Sequence, residues 1–233
     1  MREIVLDTET TGLDPLAGHR VVEVGCIELV NTVATGRTFH VYFNPQMPMP
    51  MGAQDIHGLS DEFLSDKPLF ADKVEEFLEF VGDAQLVIHN AQFDIGFLNA
   101  ELERVGKPKL ANAYVDTVSV ARRKFPGQRA SLDALCERFG IDNSNRVKHG
   151  ALLDSELLAE VYLELSGGRQ RVLGLAAEIE GGTSSVMVVS KLPVRPPRPH
   201  APTEAELAAH VAFLAQIKEP LWLKVEIEVV AAG

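Results

Sequence analysis

Four acidic residues and one histidine in this sequence have types and spacings suited to metal-dependent chemistry. The first two, Asp7 and Glu9, end an apolar run, and a strand period of two points both to the same face as Val5. Two buried neighbouring carboxylates repel each other and lose hydration, and a divalent cation with hard oxygen ligands, such as Mg²⁺ or Mn²⁺, relieves both penalties. An acidic pair at a strand end that opens into water looks the same, so this pair alone does not establish a metal site.

Two further acids stand on apolar faces of predicted helices. Asp94 lies in a first helical turn and shares its face with Leu98 and Leu102. Asp154 shares the face that Leu158 continues. The helix dipole favours an acid in a first turn even at the surface, but that effect does not explain why both acids lie on the inward face. We therefore expect both to point towards the sheet.

His149 precedes Asp154 by five residues, which is about 140° around an ideal helix. Both side chains cannot face one site from the same regular helix, so we expect His149 on the loop before it, with Gly150 near the helix start. A histidine on a loop can approach and leave a reacting group, as a general base needs to. A histidine that is merely exposed on a loop is the alternative interpretation.

The elements that must position these residues follow from periodicity and from turn residues. Strands are predicted at 3–7, 20–31, 37–43, 85–89 and 114–116, with the first hairpin turn at Gly36. Helices are predicted at 70–81, 90–105, 117–123, 131–139 and 150–165, the second of them capped by Asn90. Three strands followed by strand–helix alternation indicate an α/β fold with a mixed sheet.

Composition limits the classes of protein. The net charge of −11 argues against a passive nucleic-acid binder, and all of the excess acid lies in residues 1–167, which hold 15 Lys and Arg against 26 Asp and Glu. No apolar run approaches the roughly 20 residues of a membrane span. Because the amino terminus enters a strand at once and leaves no room for a signal peptide, we expect a cytoplasmic protein. A Ser-Gly-Gly segment and a proline-rich stretch divide the chain into a domain at 1–167, a flexible linker at 168–202 and a tail at 203–233.

Three motifs carry a family resemblance. The segments Asp7–Gly12, His89–Asp94 and His149–Asp154 resemble the three motifs of the DEDD 3′→5′ exonucleases, in the histidine form, and the resemblance covers roughly residues 2–166. It implies a ribonuclease H-like fold, a mixed five-stranded sheet flanked by helices. It also implies two divalent metal ions, Mg²⁺ or Mn²⁺, held by Asp7, Glu9, Asp94 and Asp154. In this interpretation His149 is the general base.

The resemblance further implies a nucleic-acid substrate with a 3′ end. The three motifs alone do not choose between DNA and RNA, and it is the tail described below that leads us to expect DNA with a 3′ end. Thr10, Thr11 and Gly12 resemble the segment that lines the terminal nucleotide, and Ile56 and His57 resemble the segment that stacks near its base. A turn and a loop explain these residues equally well. The stretch 122–148 holds seven basic residues, Arg146 among them, against three acidic ones, which suits phosphate contacts as well as a solvated surface.

The carboxy-terminal residues resemble docking segments. Gln170, Leu173 and Leu175 fit the short peptide by which proteins bind a sliding clamp, although such peptides also match by chance. Thr203 begins a capping box ahead of a predicted amphipathic helix. The residues expected to bind a polymerase catalytic subunit are Leu207, Val211, Leu214, Ile217 and Trp222.

Linker, helix and tryptophan together resemble the tail of the family members that proofread for replicative polymerases. Such members associate with a polymerase catalytic (alpha) subunit and a sliding clamp, and a small accessory (theta-type) subunit is a further candidate partner. A helix that folds back on the catalytic domain is the alternative. We expect a 3′→5′ exonuclease that removes mispaired nucleotides. A stand-alone DEDD nuclease acting on RNA or DNA ends and a non-catalytic scaffold are the other hypotheses.

Overall fold

The computed structural model describes residues 1–146, 148–168 and 202–218. The chain divides into two compact units, Met1–Leu175 and Ala176–Gly233. The first unit contains a five-stranded mixed sheet in the order β3-β2-β1-β4-β5. Strands β1 and β2 pair antiparallel, as do β2 and β3, whereas β4 runs parallel to both β1 and β5. The strands are β1 (Arg2–Thr10), β2 (Val21–Val30), β3 (Val33–Tyr42), β4 (Gln85–Ile88) and β5 (Tyr114–Asp116).

Helices cover both faces of this sheet. In chain order they are α1 (Met51–His57), α2 (Asp61–Leu64), α3 (Phe70–Val81), α4 (Ala91–Arg104), α5 (Thr117–Lys124), α6 (Leu132–Phe139) and α7 (Ala151–Leu165). A short 3-10 helix, Pro15–Ala17, follows β1. The predicted α/β class and mixed sheet are confirmed.

The alternation of side chains along β1 separates two cores. Ile4 and Leu6 belong to the core that includes residues of α3 and α4, whereas Val5 belongs to the core that includes residues of α5, α6 and α7. Apolar side chains therefore fix the strand between two helical layers. Because the alternation continues to the end of β1, residues 7 and 9 point towards the α7 layer.

Two local predictions are wrong for identifiable reasons. The first hairpin turn lies at Asn31 and Thr32, both with positive φ, whereas Gly36 lies within β3 beside a register shift. Glycine suits a bulge as well as a turn, and composition does not distinguish them. Asn90 precedes α4 as predicted, but it makes no side-chain cap because its backbone is left-handed, with φ of 70°.

Helices α1 and α2 are absent from the sequence prediction. Three prolines before position 51 favour a non-helical, extended stretch, and the chain is non-helical as far as Pro50. The helix that follows ends at Gly58, which has a left-handed backbone. A residue that stops a helix in this way is a signal that could have predicted α1.

In the second unit, α8 (Glu204–Leu214) begins with the predicted capping box of Thr203 and Glu206. Ile217 lies beyond the end of this helix, so the predicted apolar stripe extends further than the helix itself. Gln170, Leu173, Leu175 and Trp222 lie outside the described residues. Within the described parts of the chain, each helix is too short or too polar to cross a membrane.

Candidate active site

The end of β1 brings the first two acids to one face of the sheet. Asp7 pairs with Gly25 of β2, and Glu9 pairs with Glu23. Residues directly opposite in an antiparallel pair point to the same face, so Glu23 adds a buried carboxylate beside Glu9. Its Oε1 lies 2.8 Å from Nε2 of His40 on β3. The predicted placement of Asp7 and Glu9 on one face is confirmed.

Helix α7 brings Asp154 to the same face because Gly25 has no side chain. A Cβ at Gly25 would lie 2.3 Å from the backbone of Ala151, so only glycine lets the first turn of α7 approach β2 this closely. The Ser155 hydroxyl donates to the Gly25 carbonyl at 2.9 Å and anchors that turn. The buried side chain of Asp154 consequently faces the sheet, as its helical spacing predicts.

Asp94 comes from the helical layer on the opposite face of the sheet. It lies in the first turn of α4 and is buried, with 2% of the residue exposed. The Thr8 hydroxyl donates to its Oδ1 at 2.7 Å. Thr8 alternates with Asp7 and Glu9 along β1. The strand therefore carries Asp7 and Glu9 on one face and, on the other face, the hydroxyl that donates to Asp94.

Burial and mutual repulsion dominate the electrostatics of these acids. Burial, followed by the charge of Asp94, raises the pKa of Asp7 well above its ordinary value. Burial and then the facing Glu23 raise the pKa of Glu9 to about 8. Burial raises the pKa of Asp94 to about 7, although the hydroxyl of Thr8 opposes the shift. The folded chain thus concentrates negative charge that the surrounding protein only partly compensates.

A loop between α6 and α7 supplies the cations and the histidine. The Arg146 guanidinium makes a bidentate pair of hydrogen bonds to Asp154, with Nε 2.6 Å from Oδ1 and Nη2 2.7 Å from Oδ2. His149 lies before the start of α7, as predicted, and its side chain is 48% exposed. Its Nδ1 lies 3.5 Å from Oδ2 of Asp154.

A divalent cation fits this arrangement. Ligand atoms of Glu9, His149 and Asp154 all lie within 4.8 Å of one another, while Asp7 and Asp94 approach from β1 and α4. Carboxylate oxygens are the donors that Mg²⁺ and Mn²⁺ prefer. The raised pKa values of Glu9 and Asp94 indicate acids whose ionised forms are poorly tolerated without a further cation.

A cleft of about 590 Å³ opens beside Glu9 and Thr8. The residues predicted to meet a terminal nucleotide all line it, together with Phe93: Thr10, Thr11, Gly12, Ile56 and His57. Ile56 is half-exposed, whereas His57 is buried and its Nδ1 accepts from the backbone N–H of Leu59 at 3.0 Å. The structure therefore gathers these predicted residues into one cleft, although α1, not a loop, carries Ile56 and His57.

The loop that carries His149 is attached to the end of α1. The backbone N–H of His149 donates to the Ile56 carbonyl at 3.2 Å. Nζ of Lys148 lies 3.1 Å from the Asp55 carbonyl and 3.4 Å from the Gln54 carbonyl. A cation at the carbonyl end of a helix is favoured by the helix dipole. These contacts connect the histidine to one wall of the cleft.

Two residues near the site were missed or misread in the sequence. The local charge pattern groups Arg146 with surface cations suited to phosphate, but its side chain is buried among acids, with only 8% exposed. Charge counts along a chain do not reveal such pairing. Glu23 is not among the residues predicted from the sequence, although an acid within the apolar strand Val21–Val24 is a usable signal.

The sequence is similar to those of known exonucleases and of DNA polymerase III epsilon subunits. A model of the exonuclease family matches residues 4–162. The DNA polymerase III subunit epsilon of Rickettsia felis is 51% identical over 223 residues, covering 93% of this chain and 97% of that protein. The subunit of the same name from Escherichia coli K12 is 44% identical over 237 residues, covering 94% of each chain.

Two solved nuclease structures illustrate the same architecture. The zinc-bound complex of E. coli ExoI with single-stranded DNA has a TM-score of 0.64 at 20% identity, covering 72% of this chain and 41% of that one. The nuclease domain of 3′hExo, a DEDDh family member bound to rAMP, has a TM-score of 0.62 at 19% identity, covering 73% and 94%. These likenesses confirm the ribonuclease H-like fold.

Proposed function

This chain belongs to the exonuclease family that includes the DNA polymerase III epsilon subunits, and we propose that it proofreads for a bacterial replicative polymerase. It removes mispaired nucleotides from the 3′ end of DNA by hydrolysis and releases 5′-mononucleotides. The observation that carries the proposal is the convergence of Glu9, Asp154 and His149 within 4.8 Å, at the end of a buried strand. Asp7 and Asp94 complete the acidic cluster.

Asp7, Glu9, Asp94 and Asp154 would hold two divalent ions, Mg²⁺ or Mn²⁺. When bound, such ions polarise the scissile phosphate and stabilise charge on the attacking and leaving oxygens. The carboxylates come from β1, α4 and α7, elements fixed by the two cores, so their positions need little reorganisation during the reaction.

His149 acts as the general base and accepts a proton from the attacking water at a ring nitrogen. Its half-exposed place on the loop gives that water access. Thr10, Thr11 and Gly12 line the cleft beside Glu9 and position the terminal nucleotide. Ile56 and His57 line the same cleft, where an apolar side chain and a flat ring suit a base.

Partners follow from the family and from the tail. The polymerase catalytic subunit binds α8, whose exposed apolar side chains include Leu207 and Val211. The remaining members of this proposed docking set are Leu214, Ile217 and Trp222. A sliding clamp binds Gln170, Leu173 and Leu175, and a small theta-type subunit completes the assembly. A replicative polymerase acts on the chromosome, so the protein works in the cytoplasm.

A primer assay tests the proposed activity. A 3′-labelled primer with a terminal mispair is incubated with Mg²⁺, with and without chelator, alongside the Asp7→Ala variant. We expect mononucleotide release that chelator stops and that Asp7→Ala reduces at least about a thousandfold, since a lost ligand removes several kcal/mol of transition-state stabilisation. Equal activity of the variant would contradict the proposed site, and a strong preference for RNA would favour a stand-alone nuclease.

A deletion tests the proposed tether. Removal of residues 200–233 is expected to abolish copurification with the polymerase catalytic subunit and to leave hydrolysis of a single-stranded oligonucleotide unchanged. The reason is that the carboxylates all lie in residues 1–167, away from the tail in sequence. Retained copurification would show that the polymerase binds elsewhere.

A further inference from the structure

Arg146 is a buried cation whose charge the proposed mechanism does not use. Its side chain is 8% exposed and that of Asp154 is 4% exposed. Both oxygens of Asp154 accept from the guanidinium, at 2.6 and 2.7 Å. Bidentate pairs of this kind are among the strongest charge-assisted hydrogen bonds in proteins. One of the four acidic ligands is therefore already neutralised by the protein itself.

The same guanidinium makes two further contacts. Nη1 lies 2.9 Å from Oδ1 of Asp133, whose side chain is 58% exposed, and Nη2 lies 2.9 Å from Nδ1 of His149. Asn143 donates to the same oxygen of Asp133 at 3.1 Å. Arg146 thus joins the buried acid, the histidine and an acid at the protein surface through one group.

We propose that Arg146 is an internal counter-cation that holds Asp154 in place before metal binds and gives way when the metal arrives, a role that rests on the proposed function. A divalent ion that uses an oxygen of Asp154 competes with the guanidinium for it, and the two positive charges repel each other. Without either cation, Asp154 would be a buried charge whose remaining basic neighbour among the described residues is the imidazole of His149, which is strongly unfavourable.

The position of Arg146 allows it to withdraw without disturbing the core. It lies on the loop between α6 and α7, whereas Asp154 is fixed by the first turn of α7. Asp133 offers the guanidinium an acceptor at the surface when it leaves Asp154. Withdrawal also removes a donor from Nδ1 of His149, so arrival of the metal frees the proposed base.

Metal affinity, measured without turnover, tests this proposal. The full chain and three variants are stripped of metal and titrated with Mn²⁺ by calorimetry. Arg146→Gln removes the competing charge, Arg146→Lys keeps it, and Arg129→Gln makes the same charge change at an arginine that is 80% exposed. Tm values in chelator give a second readout.

We expect Arg146→Gln to bind Mn²⁺ about tenfold or more tightly than the wild type, because a positive charge close to the ion is removed. Arg146→Lys and Arg129→Gln should stay close to the wild type. In chelator, Arg146→Gln should have a lower Tm than Arg129→Gln, and Mn²⁺ should raise its Tm more.

Unchanged or weaker Mn²⁺ binding by Arg146→Gln, with a wild type that binds Mn²⁺, would overturn the inference and leave the proposed function standing. A wild type that neither binds Mn²⁺ nor hydrolyses DNA would instead defeat the proposed function. If Arg146→Gln unfolds in chelator, its circular dichroism is followed while Mn²⁺ is added. Refolding below the wild-type Kd supports the proposal, and failure to refold contradicts it.

Discussion

The two sides of the candidate site are built in different ways. The acidic side stands on a strand and two helices, and its side chains lie between cores of packed apolar residues. The opposite side, which carries Arg146, Lys148 and His149, is a loop held mainly by polar contacts to α1, Asp133 and Asp154. Packing fixes geometry, whereas a few exchangeable hydrogen bonds allow movement without unfolding. We therefore expect substitutions on the two sides to differ in the size and in the physical cause of their effects.

Substitution of the histidine should give the largest effect among changes on the loop side. His149→Ala is expected to lower kcat about 100-fold to 1,000-fold, because the proton of the attacking water loses its acceptor. Single-turnover rates on a mispaired primer measure this, and His210→Ala on α8 is the control. The affinity for Mn²⁺ should stay unchanged. A large loss of that affinity would make His149 a metal ligand and would remove the distinction between the two sides.

A substitution at Gly25, where β2 packs against α7, should disturb the acidic side by displacing Asp154 and not by changing any charge. Gly25→Ala is expected to lower kcat about 10-fold to 100-fold, because the new methyl group displaces the turn that carries Asp154 and misplacement of about 1 Å is costly in an active site. Gly96→Ala in α4, where a Cβ would meet nothing within 4 Å, is the matched control. Equal rates for both variants would mean that α7 adapts as easily as the loop.

A smaller effect is expected where the loop meets α1. Lys148→Ala should lower kcat about twofold to fivefold, because loss of a cation at a helix end costs roughly 0.3–1 kcal/mol and loosens the approach of His149. KM should change little, and Lys148→Arg should restore most of the rate. Full activity of Lys148→Ala would show that the single backbone contact of His149 is enough to place it.

The smallest expected effect is on stability, and it concerns the acidic side without metal. Folding raises the pKa of Glu9 to about 8 and that of Asp94 to about 7, so the folded state keeps protons that the unfolded state releases. Stability from this source is complete below the ordinary pKa and is lost as pH rises through the raised one. The Tm in chelator should therefore fall from about pH 6.5, near the ordinary pKa of histidine, to about pH 8, above which both states are ionised at these acids.

Glu9→Gln isolates that contribution, since the variant has no proton to lose at this position. Its Tm in chelator should fall less steeply than that of the wild type over the same window. Saturating Mg²⁺ should flatten the wild-type curve, because metal binding favours the ionised acids. A wild-type Tm that rises with pH in chelator would contradict the raised pKa values.

The sequence predicted the acidic side better than the loop side, and the reason is periodicity. A strand period of two placed Asp7 and Glu9, and helical spacing placed Asp94 and Asp154, because the apolar neighbours of each acid define its face. Loop residues have no such reference. The sequence could place His149 outside α7, but it could not show that Arg146 turns inwards, since that depends on partners that only the fold brings together.

The same limit applies to the helix that forms one wall of the cleft. Helix α1 is short, its N-cap Pro50 makes no side-chain cap, and its sequence gives little amphipathic pattern, so local signals were weak. What defines it is its contacts with the rest of the unit, including the contact of its last carbonyls with Lys148. Long-range contacts of this kind decide local structure when intrinsic preferences are nearly balanced.

Helix α1 both borders the cleft and contacts the loop of His149, so one short helix connects the cleft to that loop. On the proposed function, a base that contacts Ile56 would touch the residue whose carbonyl accepts from the backbone N–H of His149. The fit of the terminal nucleotide and the position of the proposed general base would then be coupled through α1. Such coupling would favour hydrolysis of frayed ends over paired ones.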